Sequence, residues 1–343
     1  MHMSDALLSP EVGVSFCAAT AGVIAYSAYK LKTNTEDKLV PLMGVLGAFV
    51  FAMQMINFTI PFTGSSGHFV GGLLLSILLG PYAGVITIAS VLLVQALFFA
   101  DGGILALGAN IWNMGVYSCF IAYPIYKLIA HGSNSSKRLF FAAVTASVIG
   151  LQAGAISVVL QTCLSGRTEL PFSTFALFML PIHLGIGIVE GAVTAGIISY
   201  VKKERPELLT LSHHSASSYS FKKIAITFLL TAFIIGGVVS WFASENPDGL
   251  QWSISKITGK TELPTLINSK LHTFTKELQK KKTAILPDYN FETQKPDTSK
   301  PNQENSGKWL NAGKSLSGIV GSLMVLALCL TLSFGIRSIR KRY

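Results

Sequence analysis

The chain has 343 residues; 50% are hydrophobic, only 13% are charged, and mean hydropathy is +0.51. Soluble domains carry about 25% charged residues, so a soluble globular fold is excluded and an all-α polytopic membrane protein is expected. The net charge of +10 would suggest nucleic acid in a soluble protein. Its placement excludes that partner: 15 of the 27 Lys and Arg lie in four short clusters beside apolar runs, the mark of cytoplasmic loops in contact with membrane lipid.

The start, Met1 to Glu11, has no Lys or Arg before the first apolar run. It lacks the basic region of a signal peptide, and the mature chain is expected to begin at Met1. Apolar segments follow at 12–29, 39–58, 69–80, 84–100, 104–126, 139–164, 175–200, 222–243 and 316–336. Placing every basic cluster inside gives about nine spans of a cell (inner) membrane, N-terminus outside and C-terminus cytoplasmic. The third segment is short, since a crossing helix needs about 20 residues. Gly80-Pro81 reads as its cytoplasmic turn and Asp101-Gly102-Gly103 as the next outer turn. This map puts residues 1–10, the loop 59–68 and Asp101 on one outer face.

Gly187 and Gly191 form a small-xxx-small pair suited to packing within the chain. After Tyr200 the composition turns polar. The expected organisation is a transmembrane domain over 1–201, a cytoplasmic linker over 202–221 containing His213 and His214, and a two-helix module over 222–343. Within that module, 244–315 is a polar outer segment with few apolar residues to build a core. Cys17, Cys119, Cys163 and Cys329 sit in apolar runs without metal-type spacing and read as small buried residues.

Met1-His2 carries chelate chemistry. A free α-amine, the ionised His2 amide nitrogen and a His2 ring nitrogen can close two fused rings on one ion. A fourth nitrogen must come from elsewhere, and His68, at the edge of a Pro-Gly-Ser-Thr stretch, is the candidate. An all-nitrogen tetragonal site suits Ni(II), Cu(II) or Co(II). Residues alone leave the alternative open that His2 is an incidental terminal residue and His68 an interfacial one. His183 and Glu190, seven apart on one helix, form an intramembrane polar pair expected to face the bundle interior in a structural role. Glu190 is the only carboxylate expected deep in a span. Gly307…Gly313-Lys314-Ser315 has five intervening residues where a phosphate loop has four, and no bound nucleotide is expected. No enzyme motif is present, and catalytic residues are not expected.

MHMSDALLSP, PFTGSSGHFVGGLLLSILLGPYAG and LVQALFFADGGILALGANIWNMG, in that order from the N-terminus, resemble the substrate-capture component of energy-coupling-factor cobalt/nickel transporters, the CbiM/NikM type, over about residues 1–200. The later module resembles the small auxiliary component (CbiN, NikN or PDGLE-like), through Ser244–Leu250 followed by a long outer loop. Gln251 stands where related fusions often have Glu. The resemblance implies about seven capture helices followed by two more. It implies Ni2+ or Co2+ as the transported substrate, held by the amine of Met1, the amide and ring nitrogens of His2, and His68. It also implies a transmembrane coupling subunit and cytoplasmic ATPase subunits as partners. Asp101 and Asn110 in the third motif, and Ser66 beside His68, are candidates to position the N-terminal segment. The rival class is a stand-alone secondary transition-metal carrier or channel, against which a shortage of buried acids argues. A membrane metalloenzyme would need an open coordination position and a general base.

Overall fold

The computed structural model of the chain describes residues 1–34, 39–133, 135–204, 221–265, 269–291 and 303–340. Most of the expected linker, with His213 and His214, lies outside the described residues. The helices begin with α1 (Pro10–Asn34), α2 (Leu39–Gln54), α3 (Gly72–Leu79) and α4 (Pro81–Phe98). α5 (Leu107–Ile111) runs through two π-helical turns into α6 (Tyr123–Ala130). Then come α7 (Ser136–Leu164), α8 (Phe172–Glu204) and α9 (Phe221–Gly237). Two short helices, α10 (Gly249–Thr258) and α11 (Lys270–Glu277), precede α12 (Gln303–Arg340). Among the described residues five helices are long and apolar enough to cross a membrane: Pro10–Lys32, Pro81–Phe98, Ser136–Leu164, Phe172–Glu204 and Ala312–Leu332. Leu39–Gln54 and Ala225–Gly237 are shorter apolar helices.

Pro81 starts α4 as expected, because its fixed φ suits a first helical residue and its missing N–H is not needed there. α7 and α8 pack along each other. Gly187 and Gly191 make that approach possible: a Cβ on Gly187 would stand 2.9 Å from the Val148 Cα, and one on Gly191 would strike Val144. The glycine pair thus serves packing inside the chain. α9 and α12 pack on α2, where Phe228 meets Phe49 edge-on at 5.1 Å between ring centres. Cys119 and Cys329 are buried, but Cys163 is exposed on α7, contrary to the expectation for it.

One piece is not helical. The expected loop 59–68 is a β-hairpin, β1 (Asn57–Ile60) and β2 (Ser65–His68), pairing Asn57 with His68 and Ile60 with Ser65. Phe62 and Gly64 turn it with φ of +65° and +74°. The third crossing is therefore a short helix preceded by buried extended chain. Extended backbone in a dry interior needs partners for every N–H and C=O. Glu190 of α8 supplies two: its carboxylate accepts from the N–H groups of Val70 at 2.9 Å and Gly71 at 3.1 Å. Gln54 donates to the Val70 carbonyl at 2.7 Å.

The segment expected to lie outside, 244–315, buries apolar side chains among its described residues, including Leu250, Ile254 and Leu286. It could do so because it rests on the first part of the chain and needs no core of its own. α10 lies against α8, and the strand residue Ser66 donates its N–H to the Pro247 carbonyl at 2.8 Å.

Candidate metal centre

The N-terminal segment runs into the bundle and is clamped there by backbone bonds. Asn110 of α5 accepts from the Met3 N–H at 2.8 Å and donates to the Met3 carbonyl at 3.1 Å. The Gly103 N–H bonds the same carbonyl at 2.9 Å. One turn further on, Asp5 accepts from the Ala106 N–H at 3.0 Å and from the Thr275 hydroxyl of α11 at 2.7 Å. His272 of α11 reaches the carbonyls of Asp5 and Leu8, and buried Arg167 reaches those of Ala6 and Pro264. Three parts of the chain far apart in sequence thus hold residues 1–8 between them.

This clamping brings Met1, His2 and His68 together. The His2 and His68 rings stack with centres 5.0 Å apart and planes 25° from parallel. His2 Nε2 lies 3.2 Å from the Gln95 Oε1, and its Nδ1 lies 3.5 Å from an Asp101 oxygen. His68 donates from Nδ1 to the Phe69 carbonyl, 3.1 Å away, while its Nε2 is buried with no partner among the described residues. The Met1 ammonium pairs with Asp248 at 3.5 Å. A cavity of about 400 Å³ opens beside these groups, lined by His2, His68, Asp101, Asp248, Gln279 and Tyr289 among others.

Burial dominates the electrostatics. It lowers both imidazoles to about 3, helped by the Met1 ammonium, so both rings are neutral at ordinary pH. Asp101 is raised by burial, against the pull of the Tyr289 hydroxyl, which donates to it at 2.6 Å. Burial also pushes Asp248 up, but the ammonium and the Gln251 N–H outweigh it and hold this carboxyl below its usual range. Neutral imidazoles beside two carboxylates are groups chemically suited to a cation with nitrogen affinity. Among the described residues no three His, Cys, Asp or Glu side chains form a metal-binding group.

Of the other expected residues, Ser66 donates its hydroxyl to the Asn246 carbonyl at 2.8 Å and pairs by its backbone with Asp248. His183 and Glu190 share α8 but not a bond. Seven residues of helix separate them by about 10.5 Å, His183 pairing with the Met179 carbonyl and Glu190 with Val70 and Gly71. Three residues of the site went unread in the sequence: Gln95, Asp248 and Tyr289. Gln95 had a signal, an amide inside the apolar run of α4 that must find a partner. Asp248 stood in the Ser244–Leu250 stretch, with nothing to say that it reaches Met1.

These features define a class: a polytopic helical membrane protein that gathers its N-terminus and two imidazoles at one end of the bundle. Residues 2–208 match the family model for the CbiM cobalt uptake substrate-specific transmembrane region, and residues 222–338 match the PDGLE domain. The chain belongs to the CbiM family. It is 40% identical over 209 residues to an Archaeoglobus fulgidus chain that bears the name of a fused nickel transport protein, NikMN, covering 61% of this chain and 68% of that one. It is 30% identical over 212 residues to the cobalt transport protein CbiM of Sorangium cellulosum, covering 61% and 94%. A crystal structure of a transition metal transporter, 30% identical, superposes with a TM-score of 0.54 over 62% of this chain and 98% of that one.

Proposed function

We propose that the chain is the substrate-binding membrane component of an ATP-driven energy-coupling-factor importer for Ni2+ or Co2+. It captures the ion at the outer face through the Met1 amine, the His2 amide and ring nitrogens, and His68. The observation that carries this reading is the meeting of the chain terminus with two stacked, neutral imidazoles, one of whose nitrogens is buried and unbonded. Two imidazoles bound at right angles to one ion, each about 2.0–2.1 Å from it, would have ring centres about 4.5 Å apart. The observed 5.0 Å needs only a small closure.

Binding exchanges charge evenly. The amine and the amide each release a proton, and the ion brings two positive charges. With Asp101 and Asp248 unchanged, the empty and loaded sites therefore carry the same net charge. A stand-alone ion-coupled carrier needs a buried acid for its coupling ion. Glu190, deep in α8, has both carboxylate oxygens bonded to backbone N–H groups, which favours a chain driven by separate ATPase subunits through a coupling subunit.

Nickel titration of the purified chain tests the ligands. One residue added before Met1 moves the amine and changes the chelate ring sizes, so it should weaken binding as much as His2→Ala. His68→Ala should lose more than the roughly 10–100-fold typical of groups that only orient a ligand. Wild-type affinity in the extended chain would remove the amine from the site. Uptake by cells lacking the ATPase partners would overturn the coupling.

A further inference from the structure

The His2 ring carries one proton when neutral, and only one placement of it leaves a useful donor. A ring that chelates together with its own residue's amide nitrogen does so through Nδ1, closing a six-membered ring. Nε2 points away from that closure. The proton must therefore sit on Nε2, and something must hold it there.

Gln95 is placed to do so. It is fully buried in α4, and its Oε1 lies 3.2 Å from His2 Nε2. A carbonyl oxygen only accepts, so this contact requires Nε2–H and leaves the Nδ1 lone pair bare. His68 is arranged in the opposite sense. Its Nδ1 lies 3.1 Å from the Phe69 carbonyl, which again only accepts, and its bare Nε2 is the buried nitrogen without a partner. Each ring is anchored by an acceptor on one nitrogen and presents the other. The Asp101 carboxylate stands 3.5 Å from the freed Nδ1, adding negative charge where a cation would arrive.

We infer that Gln95 is a positioning residue for metal capture: it fixes His2 as the Nε2–H tautomer and so presents Nδ1 to the ion. The inference rests on His2 being a ligand, as proposed above. Ligating imidazoles generally donate their second N–H to an acceptor, and loss of that acceptor costs about 10–100-fold in metal affinity.

The test uses the full-length purified chain with Gln95→Leu, Gln95→Glu and His2→Ala. Nickel affinity is measured by titration, and the His2 ring protonation is read from its nitrogen NMR shifts in metal-free protein labelled with 15N-histidine. His2→Ala identifies the signal. Gln95→Leu should bind nickel about 10–100-fold more weakly and lose the defined Nε2–H signature. Gln95→Glu keeps an acceptor and should keep both the signature and nearly the wild-type affinity, a rescue that mere space-filling does not predict. The inference is overturned if wild-type His2 carries its proton on Nδ1, if Gln95→Leu binds as wild type does, or if folded Gln95→Glu falls as far as Gln95→Leu. Should Gln95→Leu fail to fold, the wild-type signal and Gln95→Glu still decide. Loss of binding in His2→Ala with none in Gln95→Leu overturns the role of Gln95 alone. Wild-type binding in His2→Ala overturns the ligand reading beneath it.

Discussion

The two imidazoles owe their chemistry to burial more than to their neighbours. In an unfolded chain each would protonate near about 6.5, whereas in the fold they are held neutral to about 3, first by burial and then by the Met1 ammonium. Between those values the unfolded chain binds more protons than the folded one. Their contribution to stability is thus complete above about pH 6.5 and is lost as pH falls towards 3. The melting temperature of the metal-free chain should drop as pH is lowered from 6.5 to 4. His68→Gln, uncharged throughout, should drop less steeply, and equal slopes would show that burial of the ring carries no such cost. His2 and His68 were legible because imidazoles stand out in apolar sequence. Gln95, Asp248 and Tyr289 were not, because each matters through a partner 93, 247 or 188 residues away.

At the scale of elements, the chain between the hairpin and α3 is anchored by Glu190 together with Gln54. Glu190 satisfies two N–H groups in the extended stretch that leads from His68 into the helix. Leaving a buried donor unpaired costs about 1–3 kcal/mol, so Glu190→Ala should lose about 2–6 kcal/mol of stability in denaturant unfolding. Glu190→Gln retains one accepting oxygen and should lose about half as much. Stability unchanged in Glu190→Ala would mean that water replaces the carboxylate and the anchor is dispensable. The apolar runs and the Pro81 start were readable from hydropathy and from the geometry of proline. The hairpin was not, since strands of four residues containing Ser65, Ser66 and Gly67 carry little β signal. The role of Glu190 was half readable. A buried acid needs donors, but backbone donors 119 and 120 positions away leave no trace in sequence.

For the whole molecule, the orientation proposed from the basic clusters puts the hairpin tip outside and the α6–α7 turn inside. Ser65 is fully buried and a poor reporter, but Phe62 at the tip is fully exposed and Ser135 is exposed as well. In a chain stripped of its four cysteines, Phe62→Cys should react with an impermeant thiol reagent from outside intact cells, and Ser135→Cys should not. The opposite pattern would invert the map. Most of the bundle could be read in advance because lipid imposes one periodicity and one charge rule on every span. The seating of 244–291 over the N-terminus could not, since that segment takes its shape from the surface it covers.

The two carboxylates beside the terminus have a consequence for how a loaded chain is told from an empty one. If an ion is held as proposed, displacing two protons between Asp101 and Asp248, the net charge of the pocket stays as it was. A subunit that distinguishes the two states would then receive little long-range electrostatic signal across the bundle. It would have to read shape: the proposed closure of two rings and a chain end onto one point, passed along the segments bonded to them.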